Sequence, residues 1–206
     1  MIPTFCIPCD QLNLVYVQVP KAANSSIIYC LNQKQKWFDI NTKNHQEIQD
    51  KIRPNKIEFN PHNYEKYKKY FWFTFVRNPY DRIISSYVNK VLSPEEVFLS
   101  FKNIGITKST SFLDFCNIIK QIDPAQLNDH IKPQDLIIPK VINFFGKIEN
   151  AKQDWSRLQT KVQDLLNLDV QLNKSRKPDN FLCRNSMDII NQVYSNDFER
   201  FKYYKL

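Results

Sequence analysis

An α/β fold, a parallel sheet flanked by helices within a single domain, is what this chain predicts, and three observations carry the prediction. Two short runs of β-branched and aromatic residues, NLVYVQV at 13–19 and YFWFTFV at 70–76, read as buried strands. Each runs into a polar, cationic turn and then into a helix-like pattern, PKAANSSI at 20–27 and RNPYDRIISSY at 77–87. Further strand and helix patterns alternate after them, which is the order of a parallel sheet with crossover helices.

The elements follow in order. Residues 1–12 read as an N-terminal arm preceding the first strand, and Pro20 ends that strand by removing a ladder donor. From Asn24 the period becomes helical, with Ile27, Ile28 and Leu31 on one face and Asn24 or Ser25 as N-cap. Residues 34–69 are rich in Lys, Asn and Gln and hold few apolar anchors, so they predict a loop region with short helical pieces. After the second strand, Pro79 sits near the first turn of a helix carrying Ile83, Ile84, Tyr87 and Val88. Ser111 is placed to cap a helix with Phe112, Phe115, Cys116 and Ile119. VINFF at 141–145 predicts a strand ending at Gly146, followed by a helix over about 151–166 and a last one over about 186–201.

The chain has 206 residues, enough for one domain with a normal core. No apolar run approaches the roughly 18–20 residues of a membrane span, so no stable membrane insertion is expected. MIPTFCIPCDQ lacks a basic region followed by an apolar one, and so predicts no secretory signal. Read as complete, the chain is expected to be cytoplasmic. Five cysteines, an odd number, favour reduced and mostly buried thiols. Cys6 and Cys9 form a lone CxxC without the second ligand pair of a zinc site, and no metal is expected. The net charge of +8 calls for an anionic partner without naming its class.

A strand that ends in a cationic turn and a helix N-terminus is where an α/β protein binds phosphate, because main-chain N–H groups and the helix dipole point there. Lys21 leads one such junction and Arg77 the other. VPKAANSSI resembles the 5′-phosphosulfate loop of the sulfotransferases that use 3′-phosphoadenosine 5′-phosphosulfate (PAPS), in their carbohydrate branch. FVRNPYDRIISSYVNK is similar to the 3′-phosphate motif of that family. NDHIKPQ at 128–134, FFGKIENAKQDW at 144–155 and the ending VYSNDFERFKY are similar to its later segments, in the same order.

The resemblance implies a P-loop-like sheet, PAPS as donor cosubstrate, and an acceptor hydroxyl on a carbohydrate. It implies that Pro20, Lys21, Ala22, Ala23, Asn24, Ser25 and Ser26 hold the 5′ end, with Lys21 catalytic at the leaving oxygen. Arg77 and Ser85 then hold the 3′-phosphate. Arg82 either joins them or pairs on the surface with Asp81, Glu95 or Glu96. Many relatives carry a small residue such as glycine where this loop has Ala22 and Ala23, and Asn24 is the residue expected to supply any left-handed conformation. The general base is sought first at His130, within NDHIKPQ, then at His62, with Glu149 as a carboxylate alternative. Lys174, Arg176 and Lys177 read as a solvated basic loop.

Other classes are less well served. Two glycines and no GxxxxGK[ST] argue against a nucleotide kinase, and no helix carries the clustered basic face of a nucleic-acid module. A non-catalytic relative that binds nucleotide or glycan, or another P-loop-like nucleotide-dependent transferase, remains as the alternative.

Overall fold

The computed structural model describes residues 4–39, 41–42, 44–93, 96–165, 168 and 181–206. In chain order its strands are β1 (Phe5–Cys9), β2 (Leu14–Val17), β3 (Ile57–Glu58), β4 (Phe71–Val76) and β5 (Phe144–Lys147). Its α-helices are α1 (Asn24–Gln35), α2 (His45–Ile52), α3 (Pro61–Tyr67), α4 (Pro79–Lys90), α5 (Leu99–Lys102), α6 (Phe112–Lys120), α7 (Gln134–Ile137), α8 (Ala151–Gln159), α9 (Arg184–Val193) and α10 (Ser195–Arg200). The described residues fall into two compact units: a sheet unit from 4–76 and 138–168, and a helical unit from 77–137 and 181–206. The basic cluster Lys174, Arg176 and Lys177 lies outside the described residues, as does Glu95.

In the sheet unit the strand order is β3-β1-β2-β4-β5. β4 runs parallel to β2 (Tyr16 opposite Phe73) and to β5 (Phe73 opposite Phe144). β1 is antiparallel to both β2 and β3. The expected parallel sheet is present as the three strands β2, β4 and β5, and β1 and β3 extend it on one side into a mixed five-stranded sheet. The expected arm at 1–12 is also corrected, since Phe5–Cys9 is a paired strand. Its sequence FCIPC disguises it, because proline cannot donate to a ladder. Pro8 is tolerated because β3 pairs only with Phe5 and Cys6, leaving no second neighbour at Pro8.

Strand alternation sorts the core onto the two faces of the sheet. Ile7, Cys9, Leu14, Tyr16, Phe73, Phe75 and Phe144 share one face with Ile27, Ile28 and Leu31 of α1, Ile48 and Ile52 of α2, and Trp155 and Leu158 of α8. Cys6, Val15, Val17 and Trp72 share the other with Tyr67 and Tyr64 of α3. Cys6 and Cys9 thus point to opposite faces, and this CxxC is two separate core thiols. Burial raises the Cys6 thiol to about 12 and Cys9 well above its usual value. Cys30 and Cys116 are buried too, whereas Cys183 is exposed.

The predicted loop at 34–69 holds more structure than its composition suggests. Asn44 caps α2 by accepting from the Glu47 N–H at 3.1 Å, and Asn60 caps α3 by accepting from Asn63 at 2.8 Å. Two isoleucines one helical turn apart suffice to seat α2, too few for periodicity to announce it. β3, two residues long, carries no sequence signal of its own.

The strand expected at 141–145 is shifted to Phe144–Lys147, with Gly146 inside it rather than after it. Asn143 sets that register: its side chain accepts from the Trp72 N–H at 2.7 Å, and its own N–H donates to the Trp72 carbonyl at 2.9 Å. Asp154 of α8 then accepts from the Lys147 N–H at 2.7 Å. The helix predicted to about residue 166 stops at Gln159.

The helical unit is built around Ile83 and Tyr87 of α4, Phe101, Phe112, Phe115 and Ile119, and Ile190, Tyr194 and Phe198 near the C-terminus. Ser111 caps α6 as expected, accepting from the Asp114 N–H at 3.1 Å. The final helix is two helices, broken at Tyr194, whose hydroxyl donates to the Ile131 carbonyl at 2.6 Å.

Gly146 has a packing reason. A β-carbon there would lie 2.4 Å from Cε1 of Phe75, itself wedged between Phe144 and Trp155. Gly146→Ala should cost about 1–3 kcal/mol in denaturant titration. Phe75→Leu should recover part of that loss in the double variant, and purely additive effects would refute the clash.

Candidate functional site

The sequence-predicted residues form two groups, one in each unit. In the sheet unit β2 ends at Val17, and the Gln18 N–H donates to the Phe5 carbonyl at 3.0 Å, so the sheet still holds the chain where the turn begins. The turn then bends through two left-handed residues, Lys21 at φ 69° and Ala23 at φ 55°. The Ile27 N–H donates to the Ala23 carbonyl at 3.1 Å and opens α1.

Two expectations about this turn are corrected. Ala23, not Asn24 or Ser25, is the N-cap, and no side chain caps the helix. Asn24 is also not the left-handed residue. Its carboxamide oxygen instead accepts from the Tyr16 hydroxyl at 3.0 Å and from Gln18 Nε2 at 3.3 Å, tying the first residue of α1 back to β2. Burial raises the Tyr16 hydroxyl well above the usual tyrosine range, so it stays a neutral donor. Ala22, Ser25 and Ser26 are buried, whereas Pro20, Lys21, Ala23 and Asn24 are half-buried.

His62 belongs to the same end of the sheet. β1 runs antiparallel to β2, so Phe5, opposite Glu58, marks the edge where β2 finishes. The Phe59 N–H donates to the Thr4 carbonyl at 2.8 Å, and α3 begins at Pro61. His62 is therefore exposed at the carboxyl edge of the parallel strands, on the segment that follows β3, with β1 between β3 and the strand that leads into the Lys21 turn. Glu149, exposed just past β5, lies on that edge as well.

In the helical unit Asn78 caps α4, accepting from the Tyr80 N–H at 3.0 Å, and Arg77 immediately precedes it. The Gln134 carboxamide takes both main-chain groups of Arg77: its Oε1 accepts from the Arg77 N–H at 2.9 Å and its Nε2 donates to the Arg77 carbonyl at 2.8 Å. Ser85 lies inward on α4, 3% exposed. The Ser86 hydroxyl is 2.5 Å from the His130 carbonyl, which fixes the main chain of His130 against α4. The His130 ring is half-buried and meets Phe98 edge-on at 5.6 Å.

Arg82 is not on the surface. It is 1% exposed, and its guanidinium donates to the carbonyls of Lys132 and Asp129, both at 2.7 Å. The expected surface position is therefore corrected: hydrogen bonds to carbonyls hold this cation in the interior. Burial lowers its pKa, while the charge of Asp197 opposes that shift. Arg82 organises the 129–132 turn, and with it the backbone on either side of His130.

Gln134 and Asp197 were given no role by sequence reasoning. Both are fully buried. The sequence held one signal for them, a glutamine ending NDHIKPQ and an aspartate on the apolar face of VYSNDFERF, at positions where a core would ordinarily take apolar residues.

A left-handed alanine costs about 1–2 kcal/mol that glycine avoids, against an entropic penalty for glycine of about 0.5–1 kcal/mol. Ala23→Gly should therefore raise stability slightly, by up to about 1 kcal/mol in urea unfolding, and Ala23→Val should lower it. A loss on Ala23→Gly would refute the strain assignment.

Neither a curated protein nor a solved structure matches the chain. The family model described as "Sulfotransferase family" matches residues 6–204, through both compact units. That span takes in the Lys21 turn, Arg77 with α4, and the buried Gln134 and Asp197. The chain belongs to the sulfotransferase family and is a transferase of sulfuryl groups.

Proposed function

We propose that residues 1–206 act as one sulfotransferase domain that moves a sulfuryl group from PAPS to a hydroxyl of a carbohydrate. The observation that carries the reading is the β2–α1 turn. It combines a lysine at the carboxyl end of a parallel strand with a helix start that no side chain caps. Such a start suits a phosphate, whose oxygens accept from the main-chain N–H groups of the first turn.

The acceptor oxygen attacks sulfur, the bond from sulfur to the bridging phosphate oxygen breaks, and adenosine 3′,5′-bisphosphate leaves. Negative charge grows on that bridging oxygen. In this reading Lys21 meets it, while the main chain of residues 22–26, with Ser25 and Ser26, holds the 5′-phosphate. This is electrostatic stabilisation by a preset cation, with little covalent work for the protein. Arg77 presents a planar fork to the 3′-phosphate, with Ser85 beside it on α4.

The acceptor's proton needs a base. His62 is the better placed histidine, exposed on the same sheet edge as Lys21, whereas the ring of His130 packs against Phe98. His130 is the second choice and Glu149 the third. A carbohydrate acceptor follows from the resemblance to the carbohydrate branch. Among the described residues no helix is long and apolar enough to cross a membrane, and no three His, Cys, Asp or Glu side chains converge as metal ligands.

Calorimetry with adenosine 3′,5′-bisphosphate should show Arg77→Ala weakening binding about 10- to 100-fold, the loss of about 1.5–3 kcal/mol expected for charge-assisted hydrogen bonds. Lys21→Ala should keep most of that affinity and lose roughly 100-fold or more in turnover with labelled PAPS. Equal affinity of the unaltered protein for the bisphosphate and for AMP would overturn the donor assignment.

His62→Ala should lower turnover about 100- to 10,000-fold with nucleotide affinity unchanged. If His130→Ala does this and His62→Ala does not, the base assignment moves to His130.

A further inference from the structure

The main chain of Arg77 leaves the sheet ladder after Val76, and the first turn of α4 begins only at Pro79. Gln134 fills that interval. A carboxamide presents an N–H donor and a carbonyl acceptor side by side in a plane, the same pair a neighbouring strand would offer, and here Gln134 turns both toward one residue while Nε2 also donates to Asp197. Gln134 is itself fixed by Asp197. The Asp197 Oδ2 accepts from the Gln134 N–H at 2.9 Å and from Gln134 Nε2 at 3.3 Å, while its Oδ1 accepts from the Asp135 N–H at 2.7 Å. Arg200 donates to Asp135 Oδ1 at 2.9 Å and holds the start of α7 from α10.

We infer that Gln134, oriented by Asp197, is the positioning residue for Arg77, so that selectivity for a 3′-phosphorylated nucleotide depends on a buried Gln–Asp pair. This rests on the assignment of Arg77 to the 3′-phosphate. The Asp197 carboxylate sets which way the Gln134 amide faces: it accepts from Nε2, which leaves Oε1 for the Arg77 N–H. Reversing the amide would put oxygen against carboxylate and against the Arg77 carbonyl, and N–H against N–H. The main-chain plane of Arg77, and with it the direction in which its side chain departs, is thereby held from the C-terminal segment more than a hundred residues away. Burial pushes the Asp197 carboxyl above the usual range, and its N–H donors and Arg82 oppose that shift.

The test measures two affinities in each variant, for adenosine 3′,5′-bisphosphate and for AMP, with thermal unfolding as a folding control. Gln134→Met keeps the shape and removes both hydrogen bonds to Arg77. It should lower the ratio of the two affinities about tenfold or more, by weakening the bisphosphate alone. In the Arg77→Ala background the same change should cost no further selectivity, because Gln134 acts through Arg77. A variant that loses both affinities equally, or selectivity that falls additively in the double variant, would overturn the inference. If Gln134→Met does not fold, Asp197→Asn carries the same test, keeping the side chain's size while replacing one of the two oxygens that orient Gln134; it too should lower the ratio by weakening the bisphosphate alone. An unaltered protein that does not discriminate the two nucleotides removes the donor assignment itself. One that discriminates, beside a Gln134 variant with its full ratio, removes only the role of Gln134.

Discussion

The sheet unit hangs on the burial of one strand, β4, which is paired on both sides and covered on both faces. Phe73 and Phe75 pack with Tyr16, Phe144 and Trp155 on one face, while Trp72 meets Phe59 and Tyr64 on the other. Burying each such ring contributes about 1.5–3 kcal/mol, which makes this the strongest apolar feature in the unit. Thr74 adds a directed bond, its hydroxyl donating to the Val17 carbonyl at 2.7 Å. That bond pins the last residue of β2 to β4, immediately before the Lys21 turn. The turn can carry two left-handed residues because the strands beneath it are held in register.

The helical unit solves a related problem with polar groups. Arg82, Gln134 and Asp197 are all buried, and each is engaged by main-chain groups of another segment. A buried polar group without partners costs about 1–3 kcal/mol, so the interior is stable only when every segment meets its counterpart. Such a network defines one arrangement of Arg77, the 129–132 turn and α7, where an apolar core would accept several. The two units thus present their cationic residues on different supports: Lys21 on a sheet edge, Arg77 on a polar clamp.

The thiols illustrate how position changes a motif. In a strand, residues three apart face opposite sides, so Cys6 and Cys9 cannot act as a pair while β1 stays in the sheet. Cys183, by contrast, stands exposed at the start of α9, where hydrogen bonds with Ser186 lower its thiol pKa. Cysteine spacing alone would have ranked these residues the other way.

Periodicity and turn chemistry by themselves determined the alternation of strands and helices, the two junctions led by Lys21 and Arg77, and the Ser111 cap. These depend on neighbours in sequence, where hydrophobic spacing and side-chain caps act. Ordered motifs also disclosed the family, since five segments in sequence are a stronger signal than any one. Only the tertiary structure decided the rest. β1 is a strand because β2 offers it an edge, and β3 is one because β1, some fifty residues back, offers the next; no property of FCIPC or IE announces either. Ala23 is left-handed because Asn24 is held to Tyr16 and Gln18, and that choice belongs to the sheet, not to the turn. His62 reaches the Lys21 end of the sheet only through the antiparallel register of β1 with its neighbours. Arg82, which reads either as a phosphate ligand or as a surface cation, is interior because carbonyls about fifty residues away hold it there. For β3, His62 and Arg82 the physical reason is common: each outcome is set by a partner distant in sequence, and only folding brings that partner within hydrogen-bond reach.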